Sequence, residues 1–264
     1  MIPLKNIKYL LIVVFFSLVA CKKVITLDLS TAPTTIVIEG NITNEPIPYQ
    51  VSITKTVGFY QNNTFPNVSG AVVKITDSTM GITDSLVEGK AGIYTTSKLF
   101  GVIGHTYLLD VIAEGKEYKA SSTMPKQVTL DSISFLTTAA FGKFNTNAVV
   151  NFQDPPGVSN YYHFIETFRN IPPKQIHVFD DRISDGRYIS RQLFNDSTII
   201  HRDTVDVEMQ CIDKNVFSYL EELSGQDATN GQPTSPADPT SNITNGALGY
   251  FSAHTTQRKR VVFQ

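Results

Sequence analysis

The chain contains 264 residues, with 22 lysines and arginines against 24 acidic residues and a formal net charge of −2. A chain this close to neutral lacks the strongly basic surface on which nucleic-acid binding depends, so no nucleic-acid partner is expected. Hydrophobic residues form 41% of the sequence, which is enough to build ordinary globular cores even without tryptophan.

Residues 1–20 have the parts of a secretory signal peptide. Lys5 and Lys8 give a short positive region, and an apolar block follows over residues 9–20 and ends at the small Ala20. A membrane-spanning helix needs about 20 apolar residues, which is more than this block supplies. The segment is therefore expected to be cleaved during export rather than to cross the membrane.

The end of the apolar block, Leu18-Val19-Ala20-Cys21, resembles the bacterial lipobox. The resemblance implies cleavage just before Cys21 and lipidation of Cys21. Residues 21–33 then form the lipidated N-terminus and a tether, and the stretch 22–35 is interpreted as an extended tether or a first edge strand. Several acyl chains on one cysteine hold a protein firmly on a membrane, whereas a single chain anchors it only marginally. An ordinary signal peptide followed by a chance cysteine is the alternative.

Short segments rich in β-branched and aromatic residues follow, separated by turn signals at spacings of roughly ten residues. They predict an antiparallel β-sandwich over residues 34–126. The stretches SGAVVKITD and GIYTT in this region resemble the transthyretin-like and immunoglobulin-like modules of bacterial surface proteins. The segment 106–113 is apolar on both faces, which predicts a central strand. Pro125 marks a boundary, because proline donates no hydrogen bond to a sheet. The predicted strands cover residues 36–39, 49–55, 72–76, 83–87, 93–95, 106–113 and 117–122.

Residues 127–264 predict a second, antiparallel β-rich domain. In segment 205–212 apolar and polar residues alternate, which indicates a strand with one dry face. Cys211 falls on that face and is expected to be a core residue rather than a reactive thiol. With Cys21 lipidated, no internal disulfide is expected. The predicted strands cover residues 128–135, 148–152, 161–168, 175–179, 199–201, 205–212, 247–253 and 261–263.

One short helix is predicted near residues 214–223. Asp213 is a suitable N-terminal cap, apolar residues recur with helical spacing, and Gly225 is a suitable C-terminal cap. The polar segment 224–246 then predicts a long loop, either functional or disordered.

Several stretches of the mature chain carry a family resemblance. IVIEGNIT, VSITKT, VSGAVVKITD, GIYTT and YKASSTMP occur in this order, and NITNGALGYFSA lies near the end. With the lipobox, they resemble a Bacteroidetes-type family of outer-membrane lipoproteins known only as a domain of unknown function, the DUF4249-like group. The resemblance implies a lipoprotein that occurs beside TonB-dependent receptors, the energised uptake barrels, and it supplies no catalytic positions.

Candidate ligand contacts are Phe59, Tyr60 and Phe65, which lie among amide side chains in a loop. Aromatic rings beside amides suit the faces of sugars or peptides. The alternative is that Phe59 and Phe65 fold back to close the open end of the sandwich.

Histidines give weaker candidates. His177 with Asp180 and Asp181, and His201 with Asp203, have the residue types of a metal site or a general base. Exposed polar residues on strands are the preferred explanation of both groups, so no catalytic residue, metal or cofactor is predicted. The basic cluster at residues 258–260 is expected to be a solvated strand edge.

These observations predict a non-enzymatic, lipid-anchored accessory or ligand-binding protein of the outer membrane, working with a TonB-dependent receptor. A structural or adhesive surface protein is one alternative, and a hydrolase built on His177 or His201 is another. Lys22 and Lys23 stand where related lipoproteins carry an acidic surface-export signal, so the side of the membrane that the protein faces stays open. The sequence predicts neither the ligand nor the oligomeric state.

Overall fold

The computed structural model describes residues 34–264 with gaps at 59–60, 62–63, 141, 170–174, 196 and 228–237. Most of the described elements are β-strands, and the helix α1 (Lys214–Asp227) lies between the last two of them. The strands are β1 (Ile36–Thr43), β2 (Gln50–Lys55), β3 (Val72–Asp77), β4 (Ile82–Ser85), β5 (Val87–Lys90), β6 (Ile93–Thr95), β7 (Thr106–Ala113), β8 (Lys116–Thr123), β9 (Leu130–Ala140), β10 (Lys143–Gln153), β11 (Tyr161–Phe168), β12 (His177–Asp180), β13 (Tyr188–Gln192), β14 (Thr204–Ile212) and β15 (Leu248–Val262).

The strands form three sheets. The largest has the order β12-β11-β14-β15-β1-β2-β6-β5, the second β4-β3-β7-β8 and the third β13-β10-β9. Neighbouring strands run antiparallel, except that β1 and β15 pair in parallel. This architecture confirms the predicted all-β, sandwich-like fold with one short helix.

β15 joins the two halves of the largest sheet. Residues 248–254 pair in parallel with β1, and residues 255–262 pair with β14. Gly249 permits the close approach to β1, because a Cβ atom there would lie 2.1 Å from the carbonyl oxygen of Ile38. One strand of the second predicted region thus pairs with strands of both regions, and the division into two domains near residue 126 stays a prediction.

Two hydrophobic cores lie between the sheets. The first is built from β1, β2, β3, β6, β7, β8 and part of β15, and it includes the fully buried Ile38, Ile53 and Tyr107. The second is built from β9, β10, β11, β13 and β14, and it includes the aromatic rings of Phe152 and Tyr162, whose centres lie 4.9 Å apart and whose planes are tilted by 60°. Each burial of a large apolar side chain contributes about 1.5–3 kcal/mol to folding.

α1 forms a third apolar cluster with residues of β11, β12 and β15. The predicted cap is confirmed: Asp213 Oδ1 accepts the backbone N–H groups of Asn215 and Val216 over 2.9 and 3.0 Å. The predicted end is wrong, because the helix continues through Gly225 to Asp227. Residues 224–227 therefore belong to the helix and not to the predicted loop.

Several strand predictions need correction. β9 and β10 form a long hairpin that extends well beyond the predicted segments 128–135 and 148–152. β5 and β13 were not predicted, since their sequences are largely polar. Segment 199–201 is not a strand, because Asp203 accepts the N–H of Ile200 over 2.8 Å and Arg202 adopts a positive φ of 71° in the resulting turn.

The prediction for β7 is confirmed in part, and the prediction that Cys211 is a core residue is confirmed. β7 is central, since it lies between β3 and β8. Its second apolar face is nevertheless open, because Leu108 and Ile112 are 38% and 50% exposed. Cys211 is buried and free, as predicted for a core residue.

Candidate functional site

The aromatic residues proposed from sequence are only partly described. Phe65 is 53% exposed, so its ring does not close the end of the sandwich. Phe59, Tyr60 and Cys21 lie outside the described residues.

The two histidine groups do not form the arrangements considered from sequence. Asp180 pairs with Arg182 over 2.6 Å, and Asp181 accepts the backbone N–H of Asn160 over 2.8 Å. His201 is exposed in a turn, while Asp203 is held by that turn and by Arg169 at 3.2 Å. His177 instead belongs to a different group of polar side chains.

Asn195, in the loop after β13, is the centre of that group. Its backbone N–H donates to Asn147 Oδ1 over 3.0 Å, and its side-chain amide donates to Glu166 Oε2. Asn145 Nδ2 donates to the Asn195 carbonyl oxygen over 3.3 Å. Because Asn145 and Asn147 lie on β10 and Glu166 lies on β11, Asn195 links the three-stranded sheet to the eight-stranded sheet.

Unpaired polar atoms are concentrated around this residue. Eight buried side-chain atoms among the described residues have no hydrogen-bond partner, and five of them belong to this group: Asn145 Oδ1, Asn147 Nδ2, Glu166 Oε1, His177 Nε2 and Gln192 Nε2. Leaving one buried polar group unsatisfied costs about 1–3 kcal/mol. Each of these atoms has an unused hydrogen-bonding position, which makes this group the candidate site.

Burial shifts the two ionisable members of the group toward neutrality. It raises the pKa of Glu166 to about 7, and the hydrogen bond from Asn195 opposes the shift in part. Burial also lowers the pKa of His177, with Asn195 opposing the shift and Arg191 adding to it. At neutral pH the His177 ring is therefore uncharged, and Glu166 is close to its titration midpoint.

A cavity of about 130 Å³ adjoins this group. It lies beside β12 and β13, which are the edge strands of their sheets, and Ser224 of α1 also contributes to its wall. His177 and Gln192 belong both to the Asn195 group and to the cavity wall. The other principal wall residues are Phe164, Phe179, Arg191 and Phe194.

Comparison with known proteins gives the family. The family model described as "Domain of unknown function (DUF4249)" matches residues 22–260. The chain belongs to this family. No curated protein matches the chain. The matched range of the DUF4249 chain includes both cores and all the residues of the Asn195 group.

The DUF4249 chain has a second polar group, formed by Asp154, Asp181 and Asp185. One oxygen atom of each lies within 4.8 Å of the others, and oxygen ligands of this type suit hard cations such as Ca²⁺. Each carboxylate already accepts a backbone N–H, over 2.9, 2.8 and 2.7 Å respectively, from Gly186, Asn160 and Gly157. These bonds tie loops together, so we assign the group a structural role.

Sequence reasoning missed most of the Asn195 group in this DUF4249 chain. It singled out His177 but not Glu166, Gln192 or Asn195. A buried glutamate was detectable in principle, because Glu166 occupies the same alternating positions as Tyr162 and Phe164 on β11. Among the described residues, no helix is long and apolar enough to cross a membrane.

Proposed function

We propose that this DUF4249 protein is a non-enzymatic, lipid-anchored protein of the bacterial outer membrane, where it works as an accessory or ligand-binding partner of a TonB-dependent uptake receptor. The observation that carries the proposal is the lipobox-like sequence Leu18-Val19-Ala20-Cys21 behind an apolar block too short to span a membrane. The family match begins at residue 22, directly after Cys21, which supports a mature chain that starts at Cys21.

The accessory role is supported by the all-β fold rather than by a set of catalytic residues. An all-β fold with large sheets gives rigid surfaces and loops for binding. His201, one of the two histidines considered for a hydrolase, supports that reaction poorly, because it lies exposed in a turn and Asp203 is engaged by Ile200 and Arg169. The assignment of a TonB-dependent receptor as the partner is supported by the family that the sequence resembles.

Fractionation tests the anchor. The wild-type chain should sediment with outer membranes, and mass spectrometry of its N-terminal peptide should show acyl chains on Cys21. The variant Cys21→Ser should be released in soluble form. Cys211→Ser is the matched control, since Cys211 is buried and free, and it should stay with the membranes. An unmodified Cys21 in membrane-derived protein would overturn the proposal.

Detergent extraction of native membranes tests the partner. A tagged wild-type chain should co-purify with a TonB-dependent receptor, whereas recovery of the chain alone, under conditions that keep other receptor complexes intact, would contradict an accessory role. Protease treatment of intact cells then separates the two possible faces, because a chain that faces the periplasm is protected from digestion.

A further inference from the structure

The strand β9 is an open edge of the three-stranded sheet. It pairs with β10 on one side, and no other described strand pairs with it. Residues 132–139 of β9 (Ser-Ile-Ser-Phe-Leu-Thr-Thr-Ala) contain no charged residue, proline or glycine. Natural sheets use charges, proline, bulges and short strands to keep an edge from pairing. In β9 the single charged residue, Asp131, and the register shift of the hairpin both lie near its start, so segment 132–139 lacks this protection.

The other edge strands of the described sheets are protected. β4, β5 and β12 have four residues each and β13 has five, and every one of them contains a charged residue. β8 is longer, but it contains Lys116, Glu117 and Lys119. β9 has 11 residues, so it is the longest of these edges and the one whose centre is uncharged.

The backbone groups of β9 that face the open edge follow from the hydrogen bonds of β10. The carbonyl oxygens of Thr146 and Ala148 accept the N–H groups of Ile199 and Leu193, on the side of β10 away from β9. Successive residues of a strand direct their backbone groups to opposite sides, so the odd-numbered residues of β10 bond β9. Their partners are the even-numbered residues 132–138. The N–H and carbonyl groups of the odd-numbered residues therefore point to the open edge: Ile133, Phe135, Thr137 and Ala139.

The side chains of β9 suit a second copy of the same strand. Ile133 and Phe135 pack against the second core but are only partly buried, and Leu136, on the opposite face, is 46% exposed. Two charged strands brought together about a two-fold axis would place like charges near each other, whereas segment 132–139 contains no charge. An isologous interface needs a surface that complements itself, and an uncharged, alternating strand meets this condition.

One antiparallel register uses all the open groups. It places Ile133 opposite Ala139 of the second copy and Phe135 opposite Thr137, which allows about eight backbone hydrogen bonds. Leu136 then lies opposite Leu136 of the second copy on the two-fold axis. This is a pair without hydrogen bonds between its backbones, and its Cα atoms are expected about 4.5 Å apart. The exposed apolar surface of both leucines is covered in this arrangement.

We propose that β9 is a dimer interface, through which two copies of this chain pair antiparallel about Leu136 and join their three-stranded sheets into one sheet of six strands. The inference goes beyond the proposed function, because the pairing needs neither a lipid nor a receptor. Strand addition of this kind derives its affinity from the main chain and its register from the side chains.

Disulfide cross-linking tests the register. Cys21→Ser is the background, because it leaves the buried Cys211 as the remaining native thiol. Leu136→Cys should form a disulfide-linked dimer under mild oxidation, since about 4.5 Å between Cα atoms lies within the range for disulfides. Thr138→Cys is the matched control on the same face of β9: its two copies would lie about 13 Å apart, so it should stay monomeric when oxidised alone. Mixed with Ser134→Cys, which lies opposite it in this register, it should form a mixed dimer.

A charge exchange tests the association without oxidation. In light scattering at about 100 μM, the Cys21→Ser chain should have the mass of a dimer. Leu136→Lys and Leu136→Asp should each be monomeric, because like charges would lie directly opposite, and an equal mixture of the two should regain the dimer. Leu108→Lys is the control, since Leu108 is 38% exposed on the central strand β7, and it should remain dimeric. Urea unfolding checks that each variant is folded.

Three results would overturn the inference: a monomer at all concentrations up to about 1 mM, cross-linking of Thr138→Cys as fast as that of Leu136→Cys, or equal masses for Leu136→Lys and Leu108→Lys. Cross-linking of Leu136→Cys to a different envelope protein in native membranes, with no dimer of the chain, would also contradict it. The measurements on purified protein use a chain without Cys21, so failure here is distinct from failure of the proposed lipid anchor.

Discussion

The side-chain amide of Asn195, in the loop after β13, donates to the buried carboxylate of Glu166 on β11, although the two residues lie 29 positions apart in the sequence. Only 4% of the Glu166 surface is exposed, and Oε1 of the same carboxylate has no partner among the described residues. The contact therefore joins two sheets through a group that resists ionisation.

Replacing Glu166 with glutamine should change how stability depends on pH. The folded-state pKa of about 7 lies above the ordinary 4.5, so wild-type stability falls as the pH rises from 4.5 through 7. The two values differ by an amount worth roughly 3 kcal/mol. Glutamine does not ionise, so Glu166→Gln should lose less stability than the wild type over this range in urea unfolding. Glu221→Gln, on the exposed face of α1, should follow the wild type; identical slopes in all three proteins would contradict the shift.

His254 should act in the opposite direction. It is 3% exposed, and burial lowers its pKa from 6.5 to about 4, so wild-type stability falls as the pH drops from 6.5 toward 4. His254→Gln should remove roughly 3 kcal/mol of this loss. The measurement is the free energy of unfolding at the two ends of that range, with the exposed His201→Gln as the control. If both histidine variants lose stability in acid as the wild type does, His254 is not the group responsible.

Gly249 offers a test of the parallel pairing. Its φ is 89°, and an added Cβ would meet the carbonyl oxygen of Ile38 at 2.1 Å, so Gly249→Ala combines backbone strain with a steric clash. We expect a loss of more than about 3 kcal/mol. Gly115→Ala is the matched control, because Gly115 has a φ of 76° but nothing within 4 Å, and it should lose only about 1 kcal/mol. Urea unfolding measures both variants, and similar losses of unfolding free energy in Gly249→Ala and Gly115→Ala would contradict a clash at Gly249.

Asp84 is expected to hold the loop after β6. It is 1% exposed, and its Oδ2 accepts the backbone N–H groups of Ser97, Lys98 and Leu99 over 2.7, 2.6 and 3.1 Å. Burial works against its ionisation, but these hydrogen bonds prevail and keep the pKa of Asp84 below its usual value. Asp84→Asn should lose about 2–4 kcal/mol at neutral pH.

The loss caused by Asp84→Asn should shrink in acid. A depressed carboxyl pKa stabilises the fold above the ordinary pKa, and this contribution disappears as the pH falls through the folded-state value. Urea unfolding at neutral pH and at about pH 3 measures the change. Asp110→Asn is the control, because the Asp110 side chain is 41% exposed and should contribute little. A loss that is independent of pH would mean that Asp84 acts through packing alone.

Local patterns explain which parts of the fold were predictable. The alternation on β14 places Val205, Val207, Met209 and Cys211 in the core, and the side chain of Asp213 caps α1 as its position suggests. These features depend on residues close together in the chain. The sheet order does not, because the parallel pairing of β1 with β15 joins segments about 210 residues apart and leaves no periodic signal in either.

The candidate site was largely hidden for the same reason. Asn195, Glu166 and His177 come from one loop and two strands, and nothing in their spacing indicates that they meet. Gln192 lies on β13, whose polar sequence gave no strand prediction. By contrast, His201 and Asp203 have a spacing that suggests one face of a strand, yet the positive φ of Arg202 places them in a turn.

The pairing of β1 with β15 also orders events during protein synthesis. β1 is the first described strand to be made and β15 is the last, so the middle of the largest sheet cannot assemble until nearly the whole chain is available. Such distant pairing slows folding, and a strand with an open edge can pair with a neighbouring molecule. One edge of β1 therefore stays open to other molecules until β15 pairs with it, and it is β15 that ends this exposure.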